Sequence, residues 1–218
     1  MRKRTQKMKV KIITILSVFL MAGYVHAIGF GDIAGGVLGG GGDGPDLSGS
    51  QDTLTASLNK SLTDLTTSQK IMAQALKRDE DVQLADKILE GLKSEDFGTK
   101  DSIDKAYESS SKLTEAQAEQ IAKKEVLDVE SKALFITAIP FYIKGVIGAI
   151  NTGKQAVEAG QSIASLNPMA LLKIGALISI VSNTPTLLSQ LGSTTSSLFE
   201  FMAANDIDST EMEQKIKF

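Results

Sequence analysis

Residues 133–150 read ALFITAIPFYIKGVIGAI, an apolar run interrupted by one proline and one lysine. The run falls just short of the ~20 residues that a membrane span needs. A lysine at a bilayer centre costs about 2.5–3.5 kcal/mol, which isoleucines at about −0.5 kcal/mol each offset only in part. The polar neighbours carry more information. Lys123, Glu130, Thr137, Lys144, Asn151 and Glu158 recur every seven residues. Seven residues are nearly two helical turns, so these side chains form one narrow polar stripe with a slow drift. Apolar residues such as Leu134, Ile136, Tyr142, Val146 and Ile150 fill the rest of the circumference. A helix apolar on all but one edge suits the middle of a bundle. No proline interrupts the chain between Thr114 and Pro140, so one long helix is expected from about Thr114 through the quoted stretch.

The flanking sequence is helical as well. Leu54, Leu58, Leu62, Leu65, Met72 and Leu76 recur at three- and four-residue steps, followed by Val82, Ala85, Ile88, Leu89 and Leu92. That period stops at Phe97-Gly98. Asp101 with Asp104, and Thr114 with Gln117, have the spacing of helix starts. Asn167-Pro168 and Thr184-Pro185 each pair a capping side chain with a proline whose missing N–H is not needed in a first turn. No alternating strand pattern of useful length occurs. The expected fold is all-α, an elongated bundle of four to six helices spanning 51–204, with a polar C-terminal tail over 205–218.

The N-terminus points to export. MRKRTQKMKVK is followed by the apolar IITILSVFLMAGYV and then HA, with Val25 and Ala27 at the −3 and −1 positions of a signal-peptide cleavage site. A Sec-type signal over 1–27 and a periplasmic or secreted destination are expected. Residues 28–50 form a glycine-rich stretch, expected as a flexible leader. Its GGDGPD (41–46) occurs once, whereas calcium-binding repeats of that kind work only when stacked. Gly31, Gly35 and Gly39 stand four apart, a spacing that glycine abundance alone accounts for.

Composition removes whole classes of chemistry. The chain has 23 basic and 26 acidic residues; loss of Arg2, Lys3, Arg4, Lys7, Lys9 and Lys11 leaves 17 against 26, a net charge of −9. Nucleic acid is a poor partner for such a chain. The single histidine, His26, departs with the signal, and the chain has no cysteine or tryptophan. No metal or cofactor is therefore expected, and Ser-His and Cys-His nucleophile systems are excluded. Ser57 with Lys60, and Ser109 with Lys112, match S-x-x-K, but no companion S-D-N or K-T-G element follows. Paired carboxylates remain as the other route to a hydrolase, the third-ranked reading.

Charge is uneven. Residues 79–130 hold fifteen acids and seven lysines, whereas 133–204 hold only Glu158 and Glu200 against Lys144, Lys154 and Lys173. The leading reading is an exported, non-enzymatic bundle acting through a protein partner or self-association, a structural or adaptor component of an envelope, secretion or surface assembly. Its expected contact elements are the leader, the acidic helices and the tail. The alternative is a membrane-active, pore-forming type of protein that inserts 133–150 and 169–182. Under either reading the same side chains matter. In the first segment they are Phe135, Ile139, Pro140, Phe141, Ile143, Lys144 and Ile147, and in the second Leu171, Leu172, Ile174, Leu177 and Ile178. Gly175, Ser179 and Ser182 are expected to form a small face for close packing.

Overall fold

The leucine ladder that begins at Leu54 folds as the first helix of a computed structural model that describes residues 47–218. The expected signal peptide and all of the expected leader before Leu47 lie outside the described residues. Among the described residues seven helices follow one another: α1 (Ser48–Ala75), α2 (Asp79–Leu92), α3 (Lys100–Ala122), α4 (Val129–Ile163), α5 (Pro168–Leu171), α6 (Gly175–Ala204) and α7 (Thr210–Lys215). Among the described residues 81% are helical and no strand occurs, so the fold class is all-α. Five helices are of ordinary length; α5 and α7 are single turns of four and six residues.

Leu54, Leu58, Leu62, Leu65 and Met72 of α1 are buried, and α1 packs on α4, α2, α6 and α3. Its contact with α4 is the most extensive in the fold. Two glycines permit that closeness. A β-carbon on Gly145 would lie 2.7 Å from the Leu65 backbone nitrogen, and one on Gly148 would collide with the Ser61 hydroxyl. Polar pairs then fix the register: Ser57 Oγ and Thr152 Oγ1 share a hydrogen bond of 2.8 Å, and Ser68 Oγ donates to the Ala138 carbonyl at 2.9 Å. As one residue number rises the other falls, so α1 and α4 are antiparallel. Helices α3 and α6 run parallel instead, joined by Tyr107 with Thr184 (2.7 Å) and Ser111 with the acceptor Oε1 of Gln190 (2.8 Å).

The helix ends explain where the expected boundaries moved. The long helix expected from Thr114 is two helices. α3 stops at Ala122, Lys124 takes a left-handed φ of 50°, and Asp128 caps α4 by accepting from the Ser131 N–H at 2.7 Å. Lys123 therefore belongs to the end of α3, while Glu130 to Glu158 keep the seven-residue stripe on α4. Thr114 and Thr184 do not start helices. Their hydroxyls donate back to the carbonyls of Ser110 and Ile180, four residues earlier, inside α3 and α6. Asn167 does cap, accepting from the Ala170 N–H, with Pro168 in the first turn as expected. That helix ends after one turn, so 169–182 is not one segment but α5, a turn and the start of α6. At Gly98 the chain turns with φ 123°, the expected stop after Phe97. The tail expected to be a polar contact element instead buries Ile207, Met212 and Ile216, and α7 lies against α4.

Candidate functional site

Buried side chains occupy only part of the circumference of α4. Phe135, Ala138, Tyr142 and Val146 are sequestered, Phe135 against the Phe201 ring at 5.2 Å between centroids. On the opposite side Val129, Ala133, Ile136 and Pro140 recur at steps of four, three and four, which places them on one face. All four are exposed, Val129 to 87% and Ile136 to 46%. Phe141 lies at the edge of this strip, and Val126 extends it onto the α3–α4 loop at 85% exposure. Pro140 cannot donate to the Ile136 carbonyl. On an exposed face water can satisfy that oxygen, so the proline is tolerated.

Along one side of the apolar strip run Glu130, Thr137 and Lys144, all exposed. Thr137 donates to the Leu134 carbonyl at 2.7 Å, and Lys144 Nζ stands 5.8 Å from the centre of the Phe141 ring. Neither Glu130 nor Lys144 has an ion-pair partner among the described residues. Beyond Lys144 the same face turns polar with Asn151, Lys154 and Glu158.

The residues singled out from sequence divide between core and surface. Phe135, Ile139 and Ile143 are buried, Ile147 is half-buried, and Pro140, Phe141 and Lys144 face outward. In the second segment Ile174 and Leu177 are buried, Leu171 and Ile178 are half-buried, and Leu172 is 79% exposed in the turn after α5. The small face is split. Gly175 lies 3.5 Å (measured from a notional β-carbon) from Lys100 Cβ, Ser179 donates to Asp104, and Ser182 is exposed. Asp104 also accepts from Lys100 and Asn183. Its Lys100 partner foremost, then Ser179, holds its carboxyl below the usual range. Sequence reasoning missed Val129, Ala133 and Val126. Their four-three-four spacing with Ile136 was available, but a helix assumed to run unbroken from Thr114 hid the exposed end on which they sit.

Neither Ser-x-x-Lys pair is joined by a hydrogen bond. Ser57 shares its hydrogen bond with Thr152, and Lys112 Nζ binds Glu108 rather than Ser109. Two shallow clefts flank Phe97 at the α2–α3 turn, of about 260 and 450 Å³. Asp96 is the one carboxylate lining the first and Asp52 the one lining the second, so neither cleft gathers a pair. Among the described residues no group of three or more His, Cys, Asp or Glu side chains is arranged to hold a metal ion. No protein family, curated protein or solved structure matches the chain.

Proposed function

We propose that this chain is an exported, non-enzymatic helical bundle that works through protein–protein contacts, as a structural or adaptor component of an envelope, secretion or surface assembly. The observation that supports the contact reading is the outward strip of α4. It sets Val129, Ala133, Ile136 and Pro140 side by side in solvent on a helix whose opposite face is buried in the core. Scattered exposed apolar residues are ordinary, whereas a contiguous strip with a polar margin marks an interaction surface. The export part of the reading rests on the N-terminal sequence alone.

A second reading has one specific observation in its favour. Helix α4 is long and apolar enough to cross a membrane, with a mean hydropathy of 1.8 over its best 18-residue window, of which 44% is buried. Withdrawing it would strip α1 of its principal partner and expose Phe135 and Tyr142, so contact through the outer strip asks less of the fold. A photo-reactive amino acid in place of Ile136, in cells that make the full chain, separates the two. The contact reading expects a discrete protein adduct from position 136 and none from Thr186, an exposed position on α6. Absence of any adduct at 136, combined with dye release from liposomes that Ile136→Asp abolishes, would transfer the assignment to insertion.

A further inference from the structure

We propose that the outer strip of α4 pairs with the same strip of a second copy of this chain, antiparallel and about a two-fold axis at Thr137. The inference rests on the contact reading above and names its partner. Its argument is the charge order along the strip. Glu130 and Lys144 lie seven residues to either side of Thr137, at the same position of successive seven-residue units. When two such helices pair antiparallel, equivalent flanking positions face each other. Registered at Thr137, Glu130 of each copy then meets Lys144 of the other, twice over, as an isologous interface requires. A parallel arrangement would put this flank of the two copies on opposite sides of the seam, so Glu130 and Lys144 would not meet and the pairing would gain nothing from their charges.

The apolar residues fit the same geometry. Val129, Ala133, Ile136 and Pro140 stand where a coiled-coil seam stands, one residue before or three residues after the charged flank. Ala133 is small, so the helices can approach at the end where Phe141 of the other copy arrives. Both charges can form the pairs, because among the described residues neither is in an ion pair; Glu130 feels Lys77 only at longer range, and Lys144 stands over the Phe141 ring. The overlap from Val129 to Lys144 is about 24 Å long at 1.5 Å per residue. One helix pair of that length belongs at the weak end of protein interfaces, so the dimer is expected to dissociate in the micromolar range.

Sedimentation velocity on the full chain from about 1 to about 100 µM tests this. The expected result is a concentration-dependent monomer–dimer equilibrium that Ile136→Asp abolishes. Glu130→Lys and Lys144→Glu should each weaken it by about tenfold, and the double variant should restore it to within about twofold. All three positions are exposed, and circular dichroism checks that each variant keeps its helix content. Because the chain has no cysteine, spin labels can be placed singly. Thr137→Cys labels in the dimer should be close together, whereas Asn151→Cys labels should be about 40 Å apart, the rise of 28 residues. A close Asn151 pair, or a double variant no better than the singles, overturns the antiparallel pairing. If Ile136→Asp still abolishes association in that case, the contact strip itself stands. A chain that stays monomeric throughout overturns self-pairing, and the adduct at position 136 then decides the contact reading separately.

Discussion

Gly145 faces the first helix so closely that a β-carbon there would lie 2.6 Å from Leu65 Cγ and 3.0 Å from Leu65 Cα. Two of the three nearest atoms are backbone, so neither a rotamer change nor a small side-chain shift relieves the clash. In an isolated helix, alanine is favoured over glycine by about 1 kcal/mol. Here overpacking reverses the sign, and Gly145→Ala should destabilise by about 1–3 kcal/mol in chemical denaturation. Gly91 of α2 has nothing within 4 Å of the same notional carbon, and Gly91→Ala should stabilise by about 0.5–1 kcal/mol. The pair of measurements separates close approach from helix propensity. Tyr107 and Tyr142 give a second test. Burial pushes both phenols up to about 12, against hydrogen bonds to Thr184 and Thr195 that act in the other direction. A raised folded value means that the neutral form is favoured by the fold. Their contribution is complete below pH ~10, where an unfolded tyrosine is also neutral, and is lost as pH rises toward 12. Absorbance at 295 nm should show these two tyrosines ionising only near pH 12, in step with loss of helical circular dichroism. Ionisation of both near pH 10 in a still-helical protein would contradict their burial.

Between elements, the junction of α3 and α4 is tied by Asn205, the residue that follows α6, besides the ion pairs Lys124–Glu200 and Lys77–Asp128. Asn205 is buried; its Oδ1 accepts from the Leu127 N–H at 2.7 Å and its Nδ2 donates to the Glu125 carbonyl at 3.2 Å. Asn205→Ala removes both partners at once, and a buried group left without its hydrogen bond costs about 1–3 kcal/mol. The expected outcome is a loss of about 2 kcal/mol, with tryptic cleavage at Lys123 and Lys124 appearing before global unfolding. Stability unchanged within error would show that the loop is held by something else. This junction also marks the limit of what the sequence disclosed. The seven-residue stripe from Glu130 to Glu158 was legible, and every member of it is exposed. The break before it was not, since Lys124 adopts a left-handed backbone that glycine normally signals. Thr114 and Thr184 show the converse. A threonine that bonds its own helix and a neighbour has the same local sequence as one that caps, and only the presence of Gln69 or Tyr107 across the interface tells them apart.

For the molecule as a whole, periodicity revealed the helical class and most of the core, because burial of leucines at three- and four-residue steps follows from helix geometry alone. Which faces stay open did not follow. Val129 and Ile136 read as core on hydropathy, and they are exposed because no other helix among the described residues covers that side of α4. The alternation of directions explains why: α1, α3 and α6 run one way and α2 and α4 the other, so α4 serves as the crossover between the parallel pair α3 and α6. That role gives α1 its principal partner far along the chain. Ser68 contacts a carbonyl 70 residues later, Ser57 a hydroxyl 95 residues later, and Gln51 the Leu177 amide 126 residues later. Such distant pairing slows folding, since a long loop must close before any contact rewards it. At synthesis rates of about 5–20 residues per second, α1 waits on the order of ten seconds for the helix that covers it. Through that interval Ser61, Leu65 and Ser68 wait for the partners they meet on α4, so the first of the described helices to be made is among the last to be finished.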